Sequence, residues 1–178
     1  MTKTKIALSE AEAIANKLIA ILAPYCERIE IAGSIRRKKP EVGDIEIVTI
    51  PKMFSENDLF GALMGRHSAL DDFDYSQIGT LVKGGSRYKQ IELTGGISLD
   101  LFIVLPPAQW GVIFMIRTGP DTFSKRMVKQ INIGGYLPSI YSVKDGVVVH
   151  HGGFIPMPEE KDYFDLCGMM VIPPEQRQ

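Results

Sequence analysis

The sequence predicts an α+β protein with one main sheet and a smaller appended lobe. Three observations predict this class. The chain opens with an apolar stripe at helical spacing, continues with short segments typical of strands, and closes with helical segments and a second hairpin signal. The pair Pro106-Pro107 ends the predicted sheet, so we expect a first domain over residues 1–106 and a second over residues 107–178.

The first predicted element is an amphipathic helix. Ser9 and Glu12 form a capping-box pattern at its start, and Pro24 ends it. Between them, Leu18 and Leu22 recur on one face at the helical period. The helix is therefore predicted to have one apolar face.

Most of the first domain after this helix is predicted to be sheet. Segments that alternate or are rich in β-branched residues cover residues 28–32, 44–50, 77–82, 88–93 and 97–105. Gly95-Gly96 is a hairpin signal between the last two. Ser55 is expected to cap a short helix around residues 58–64, and residues 66–75 are expected to form a polar connection.

The second domain is predicted to mix helices with a hairpin. The expected helices cover residues 109–117, residues 121–133 and a short segment after Pro158. The expected strands cover residues 136–143 and 147–151, on either side of the turn Asp145-Gly146.

Composition indicates a folded, near-neutral protein. Hydrophobic residues make up 45% of the chain and charged residues 23%, which is enough for a core and argues against disorder. The net charge of −1 gives no overall basic signature, so nucleic-acid binding would have to use local patches. We find no signal-peptide pattern, no run of ~20 apolar residues and no CxxC motif around Cys26 or Cys167. We therefore expect a cytoplasmic protein, or a viral protein in host cytoplasm, with reduced thiols and no membrane partner.

Three carboxylates indicate a metal site. Asp44 and Glu46 are two positions apart on a predicted strand, so both side chains leave the same face. Such a pair repels itself unless a cation lies between the two groups, and Mg²⁺ prefers oxygen ligands of this kind. Asp100, in the apolar segment SLDLFIVL, is the candidate third ligand because a buried charge there needs a partner. The alternative is an exposed strand face and a salt bridge.

The turn that precedes these carboxylates is typical of an anion site. Gly33 lets backbone approach a phosphate closely, and Ser34 can donate its hydroxyl. Arg36 and Arg37 can make bidentate contacts to phosphate oxygens. The alternative is a solvated basic turn.

Together these residues resemble a known family. The segment GSIRRKKPEVGDIE, followed downstream by LDLF, is similar to the catalytic core of family X DNA polymerases, the polymerase beta group. The similarity continues through IRTGPDTFSKRM, GYLPSIYSVKDG and EEKDYFDLCGMMVIPPEQR, and so covers roughly residues 28–178. It implies a nucleotidyltransferase (polymerase beta palm) fold with a small C-terminal α/β lobe. Residues 1–106 would hold an N-terminal helix and the catalytic palm, and residues 107–178 a lobe that binds nucleotide and template.

The resemblance also implies an activity and a set of roles. The activity would be two-metal transfer of a dNMP from a dNTP to the 3′-hydroxyl of primed or gapped DNA, as in gap filling. Asp44, Glu46 and Asp100 would bind two Mg²⁺ ions. Asp100 would bind the ion that activates the primer hydroxyl and could accept the proton of that hydroxyl. The nucleotide contacts would be Gly33, Ser34, Arg37 and Gly43 at the phosphates, Thr118 and Gly119 at the sugar, and Asp121 and Ser124 at the base.

The chain also departs from the family's pattern. Glu46 stands where the family has aspartate, so we expect Mn²⁺ as an alternative to Mg²⁺. Ile116-Arg117 replaces an aromatic pair, and Ser98 stands where an arginine is frequent. About 27 residues precede the first predicted strand, so we expect a minimal form with palm and C-terminal lobe only.

DNA is expected to contact two local basic patches. The residues are Lys83, Arg87 and Lys89 on the sheet and Lys125, Arg126 and Lys129 on the following helical segment. The alternative is that each is a solvated surface charge.

Two other functions remain compatible with the same motifs. One is a non-templated nucleotidyltransferase that acts on RNA, a small molecule or a protein. The other is a catalytically weak module that binds nucleotide or DNA. In each case we expect a monomer.

Overall fold

The chain folds into a mixed α+β arrangement, as predicted from the sequence. The computed structural model describes residues 4–57 and 63–178. Its helices are α1 (Leu8–Leu22), α2 (Gly33–Arg36), α3 (Trp110–Thr118), α4 (Asp121–Val128) and α5 (Glu160–Leu166). Its strands are β1 (Ile6–Ala7), β2 (Cys26–Ile31), β3 (Glu41–Val42), β4 (Asp44–Pro51), β5 (Met53–Asn57), β6 (Leu63–Ser68), β7 (Gly79–Gly84), β8 (Tyr88–Leu93), β9 (Ser98–Ile103), β10 (Ser142–Lys144), β11 (Val147–His150) and β12 (Gly153–Ile155).

The main sheet has five strands in the order β2-β4-β9-β8-β7. The central pair, β4 and β9, is parallel, and the other pairs are antiparallel. Gly95 and Gly96 both have positive φ in the turn that joins β8 to β9, which confirms the predicted hairpin. Because side chains alternate along each strand, the sheet presents one apolar face and one face that carries the carboxylates.

Helix α1 covers the apolar face. Ala11, Ala15, Leu18 and Leu22 are buried along one side of it, and they join a core cluster with the inward residues of β4, β8 and β9. The predicted capping box is wrong, since the helix begins one residue before Ser9 and no side chain caps its first turn.

The segment after β4 forms a hairpin of β5 and β6. Ser55 is extended and pairs with Arg66, so it does not cap a helix. Of the helix predicted over residues 58–64, residues 58–62 lie outside the described part of the chain, and residues 63 and 64 belong to β6. The expected connection over residues 66–75 begins as strand and continues as short 3₁₀ turns.

The C-terminal lobe has shorter elements than predicted. Helix α4 ends at Val128 rather than at Ile133, because the chain turns back tightly after it. In this turn Gly135 lies so close to Lys129 that a Cβ on it would be 1.8 Å from the Lys129 carbonyl oxygen. The predicted strand over residues 136–143 is reduced to β10. The side-chain amide of Gln130 instead donates to carbonyl oxygens within that segment. Strand β12 was not predicted.

Two further core clusters position α3. One lies wholly in the lobe and includes Met115 and Phe123. The other packs Trp110 and Phe114 of α3 against Val48 and Phe102, on the carboxylate face of the sheet. Helix α3 therefore covers one end of this face and leaves the other end open. The domain boundary at residue 106 stays a prediction. None of the helices in residues 4–57 and 63–178 is both long and apolar enough to cross a bilayer.

Candidate active site

The three predicted carboxylates share one face of two adjacent strands. In the parallel pair of β4 and β9, Glu46 lies opposite Asp100, and Asp44 lies opposite Ser98. Neighbouring strands are about 4.8 Å apart, so these side chains leave the sheet as close neighbours. All three are partly buried rather than freely solvated.

Asp100 is held by two donors from strand β8. Tyr88 Oη donates to its Oδ1 at 2.8 Å, and Gln90 Nε2 donates to the same oxygen at 3.1 Å. Burial and this hydrogen bond raise the pKa of Tyr88 to about 12, so its hydroxyl stays protonated. Sequence reasoning missed both donors. The hairpin register set by the Gly95-Gly96 turn was the signal that could have found them, since it places Gln90 opposite Asp100.

Glu46 is packed against the turn that follows β2. A Cβ on Gly33 would lie 1.7 Å from Glu46 Oε2, and Gly33 has a φ of +59°, so both space and backbone require glycine there. Burial and the charge of Asp44 raise the pKa of Glu46 from 4.5 to about 7, and Asp100 adds to this. Arg37 and Arg117 act in the opposite direction. The site therefore concentrates negative charge that a cation would relieve.

The raised pKa of Glu46 predicts a pH-dependent stability in the metal-free protein. The folded state binds a proton on Glu46 more tightly than the unfolded chain does. The resulting stability is complete below about pH 4.5 and is lost as the pH rises through about 7. The loss is about 3 kcal/mol, because one pKa unit corresponds to about 1.4 kcal/mol. Urea unfolding in a metal chelator should show that the free energy of unfolding of wild type falls as the pH rises from about 4.5 to about 7, and that Glu46→Gln lacks this fall. The same pH dependence in both proteins would contradict the assignment.

The turn at Gly33 contains buried donors without partners. Ser34 Oγ and Arg37 Nε are both buried and make no hydrogen bond in the structure. Burial lowers the pKa of Arg37, while the charges of Glu46 and Asp44 act against this. Buried donors are rarely left unpaired, and an anion such as a phosphate would satisfy them.

Thr118 connects this turn to the C-terminal lobe. Arg36 Nη1 donates to Thr118 Oγ1 at 2.5 Å, and Arg37 Nη1 donates to the Thr118 carbonyl oxygen at 2.6 Å. The next residue, Gly119, packs so closely on α4 that a Cβ would be 2.5 Å from Phe123. The predicted phosphate and sugar residues therefore lie side by side. Gly43 has open space around its α carbon.

The residues predicted to contact the base form other interactions in the structure. Ser124 is buried, and its hydroxyl donates to the Ile116 carbonyl oxygen at 2.6 Å, so it does not face open space. Asp121 and Lys125 are exposed and paired with each other along α4 at 2.7 Å. The base contacts predicted for Asp121 and Ser124 would require these bonds to rearrange.

The basic residues divide between the surface and the core. Lys89 is buried on the opposite face of the sheet, 3.2 Å from Asp71, and is therefore removed from the expected DNA contacts. Lys83 and Arg87 are exposed near Tyr88. The exposed residues Arg126 and Lys129 border a groove along α4 together with Lys125.

The donor set suits a hard cation, although the carboxylates are not gathered around one point. All three are oxygen ligands of the kind that Mg²⁺ and Mn²⁺ take, and their mutual repulsion contributes to the raised pKa of Glu46. In residues 4–57 and 63–178, no three His, Cys, Asp or Glu side chains converge as they would around a metal ion. The chemistry of the residues thus fits the predicted metal, and the arrangement is more open than a completed site.

Comparison with known proteins finds a distant relative. The chain is 26% identical over 167 residues to DNA polymerase lambda of Rattus norvegicus. The alignment covers 82% of this chain and 28% of that protein, so the chain spans less than a third of the relative's length. No model of a known protein family matches the chain. The similarity supports a polymerase-related or nucleotidyltransferase-related protein.

Proposed function

We propose that this chain is a DNA-directed DNA polymerase of the family X type, with a polymerase beta palm fold, that adds a dNMP to a primed or gapped DNA end. The observation that carries the proposal is the register of β4 and β9, in which Glu46 lies opposite Asp100 next to Asp44. The unpartnered donors of Ser34 and Arg37 at the adjacent turn support it, since a triphosphate would satisfy them. The distant similarity to DNA polymerase lambda agrees with it.

The chemistry would be phosphoryl transfer, which depends mainly on positioning and charge neutralisation. Two divalent cations held by Asp44, Glu46 and Asp100 would neutralise the phosphates and the developing charge. Asp100 accepts the hydroxyl proton of the primer through Oδ2, since the two donors from β8 already occupy Oδ1. Ser34 and Arg37 bind the leaving pyrophosphate.

The lobe would complete the nucleotide site. Thr118 and Gly119 border the turn at Gly33 through the bonds of Arg36 and Arg37 to Thr118, and this supports a contact with the sugar of a nucleotide bound at that turn. Template and primer phosphates would contact the exposed basic residues on the sheet and on α4: Lys83, Arg87, Lys125, Arg126 and Lys129.

Primer extension tests this function. Gapped, recessed and blunt DNA substrates should be supplied with each dNTP singly, in Mg²⁺ and in Mn²⁺. We expect addition directed by the template base, and loss of addition in Asp44→Asn. Untemplated tails would replace the proposal with a terminal nucleotidyltransferase, and DNA binding without any incorporation in either metal would overturn the enzymatic assignment.

A further inference from the structure

Arg117, in the last turn of helix α3, lies above Phe102 on the carboxylate face. Its guanidinium carbon lies 4.0 Å from the centre of the Phe102 ring. Phe102 stacks on Tyr88 at 5.3 Å, and Tyr88 donates to Asp100, so a continuous chain of contacts joins Arg117 to the carboxylates. Stacking on Phe102 fixes the position of the charge without neutralising it.

None of the salt bridges between described residues contains Arg117, yet Arg117 interacts electrostatically with Glu46 and Asp100. Although part of the side chain is exposed, burial lowers the pKa of its guanidinium, and the charges of Glu46 and Asp100 act against this. The same charge opposes the raised pKa of Glu46. The positive charge of Arg117 on α3 thus acts on the carboxylates of Glu46 and Asp100 on the sheet.

We propose that Arg117 is a built-in counter-cation that stabilises the carboxylate site when no metal is bound and weakens the binding of the first divalent cation. The inference rests on the metal site of the proposed function. Arg117 acts as a positioning residue here, because it acts on the carboxylates through its charge. It competes with the metal for the same negative charge, so its removal should favour metal binding and disfavour the metal-free fold.

A cavity beside Arg117 gives the side chain room to move. Its volume is about 210 Å³, and Arg117 lines it together with Arg87, Tyr88, Phe102 and the hairpin residue Asp145. When a metal binds, the guanidinium would leave its stack on Phe102 and turn into this cavity, which Asp145 also lines. Arg117 can therefore yield to the cation without leaving the fold.

Metal binding without nucleotide or DNA tests the inference. Mn²⁺ affinity should be measured by electron paramagnetic resonance on wild type, Arg117→Gln and Arg117→Lys. We expect Arg117→Gln to bind the first Mn²⁺ about tenfold more tightly, since a fixed positive charge near a dication is removed, and Arg117→Lys to bind as wild type does. In a chelator, Arg117→Gln should also unfold at a temperature roughly 3 °C lower, a difference that Mg²⁺ abolishes.

Arg126→Gln is the matched control. Arg126 also stacks on an aromatic ring, Tyr136 at 4.5 Å, but it is not among the charges that act on Glu46. In the absence of DNA its replacement should leave the Mn²⁺ affinity unchanged, and any fall in unfolding temperature should be the same in a chelator and in Mg²⁺. Mn²⁺ binding that Asp44→Asn abolishes but Arg117→Gln does not tighten would overturn this inference and leave the proposed function standing. Absence of any binding that depends on Asp44 would overturn both.

Discussion

Replacing Asp100 with asparagine is expected to lower primer extension by about three orders of magnitude, because the variant lacks the oxygen that would accept the hydroxyl proton in the proposed mechanism. The fold should be unaffected. Both donors from β8, Tyr88 and Gln90, bind Oδ1, and the amide oxygen of asparagine can accept the same two bonds. The measurement is single-turnover extension of a recessed primer, together with the unfolding midpoint in urea.

Glu92→Gln is the matched control for this variant. Glu92 lies on the same sheet, opposite Ser98, but is exposed, so the same carboxylate-to-amide change should leave extension and stability as in wild type. If Asp100→Asn extends primers at close to the wild-type rate, Asp100 is not the proton acceptor and the proposed mechanism is wrong.

The second large effect concerns Glu160, at the first turn of α5. Its carboxylate accepts from Arg36, in the turn at Gly33, at 2.8 Å and from Arg177 at 2.6 Å. Burial acts to raise the pKa of Glu160, but the bonds from Arg177 and Arg36 outweigh it and leave the pKa lowered. The Arg177 side chain has no exposed area, so it depends on this carboxylate.

Glu160→Gln should therefore reduce the free energy of unfolding by about 3 kcal/mol, because the fully buried guanidinium of Arg177 and the partly buried one of Arg36 lose their counter-charge while the side-chain volume is kept. Urea unfolding measures the loss. Since Arg36 also binds Thr118, the variant should raise the KM for dNTP. The double variant Glu160→Leu with Arg177→Leu should recover part of the stability, because the fully buried charge of Arg177 is then removed and only the partly exposed Arg36 is left without its carboxylate.

Lys161→Gln is the control for this effect. Lys161 pairs with Asp165 on the exposed side of the same helix, where solvent screens the charges, so its removal should leave the unfolding curve unchanged. A Glu160→Gln protein as stable as wild type would show that Arg36 and the buried Arg177 do not need this carboxylate.

The carboxylate face was largely predictable from local patterns. Alternation along residues 44–50 places Asp44 and Glu46 on one side of a strand, because side chains in a strand repeat every two residues. Asp100 was found because a charge within an apolar strand needs a partner. Gly33 was identified as a close-approach glycine, although the group that approaches it in the structure is the Glu46 side chain.

The contacts between the lobes were not predictable. Arg36 and Arg37 were expected to bind phosphate, whereas each also holds Thr118, about 80 positions away. Lys89 was expected to contact DNA because it is basic. It lies in the core instead, because the register of its strand places it opposite Leu101 on the apolar face. Such pairings depend on how strands and helices assemble, which no local pattern encodes.

The sequence by itself therefore determined the α+β class, the face that carries Asp44, Glu46 and Asp100, and the glycine turn beside them, because each follows from a short-range repeat or a steric requirement. Only the tertiary structure decided which groups act on those carboxylates. It placed Tyr88 and Gln90 on Asp100, Glu46 against Gly33 and the charge of Arg117 above the site. The reason is physical: charges and hydrogen bonds act over a few ångströms in space, and the folded chain sets those distances.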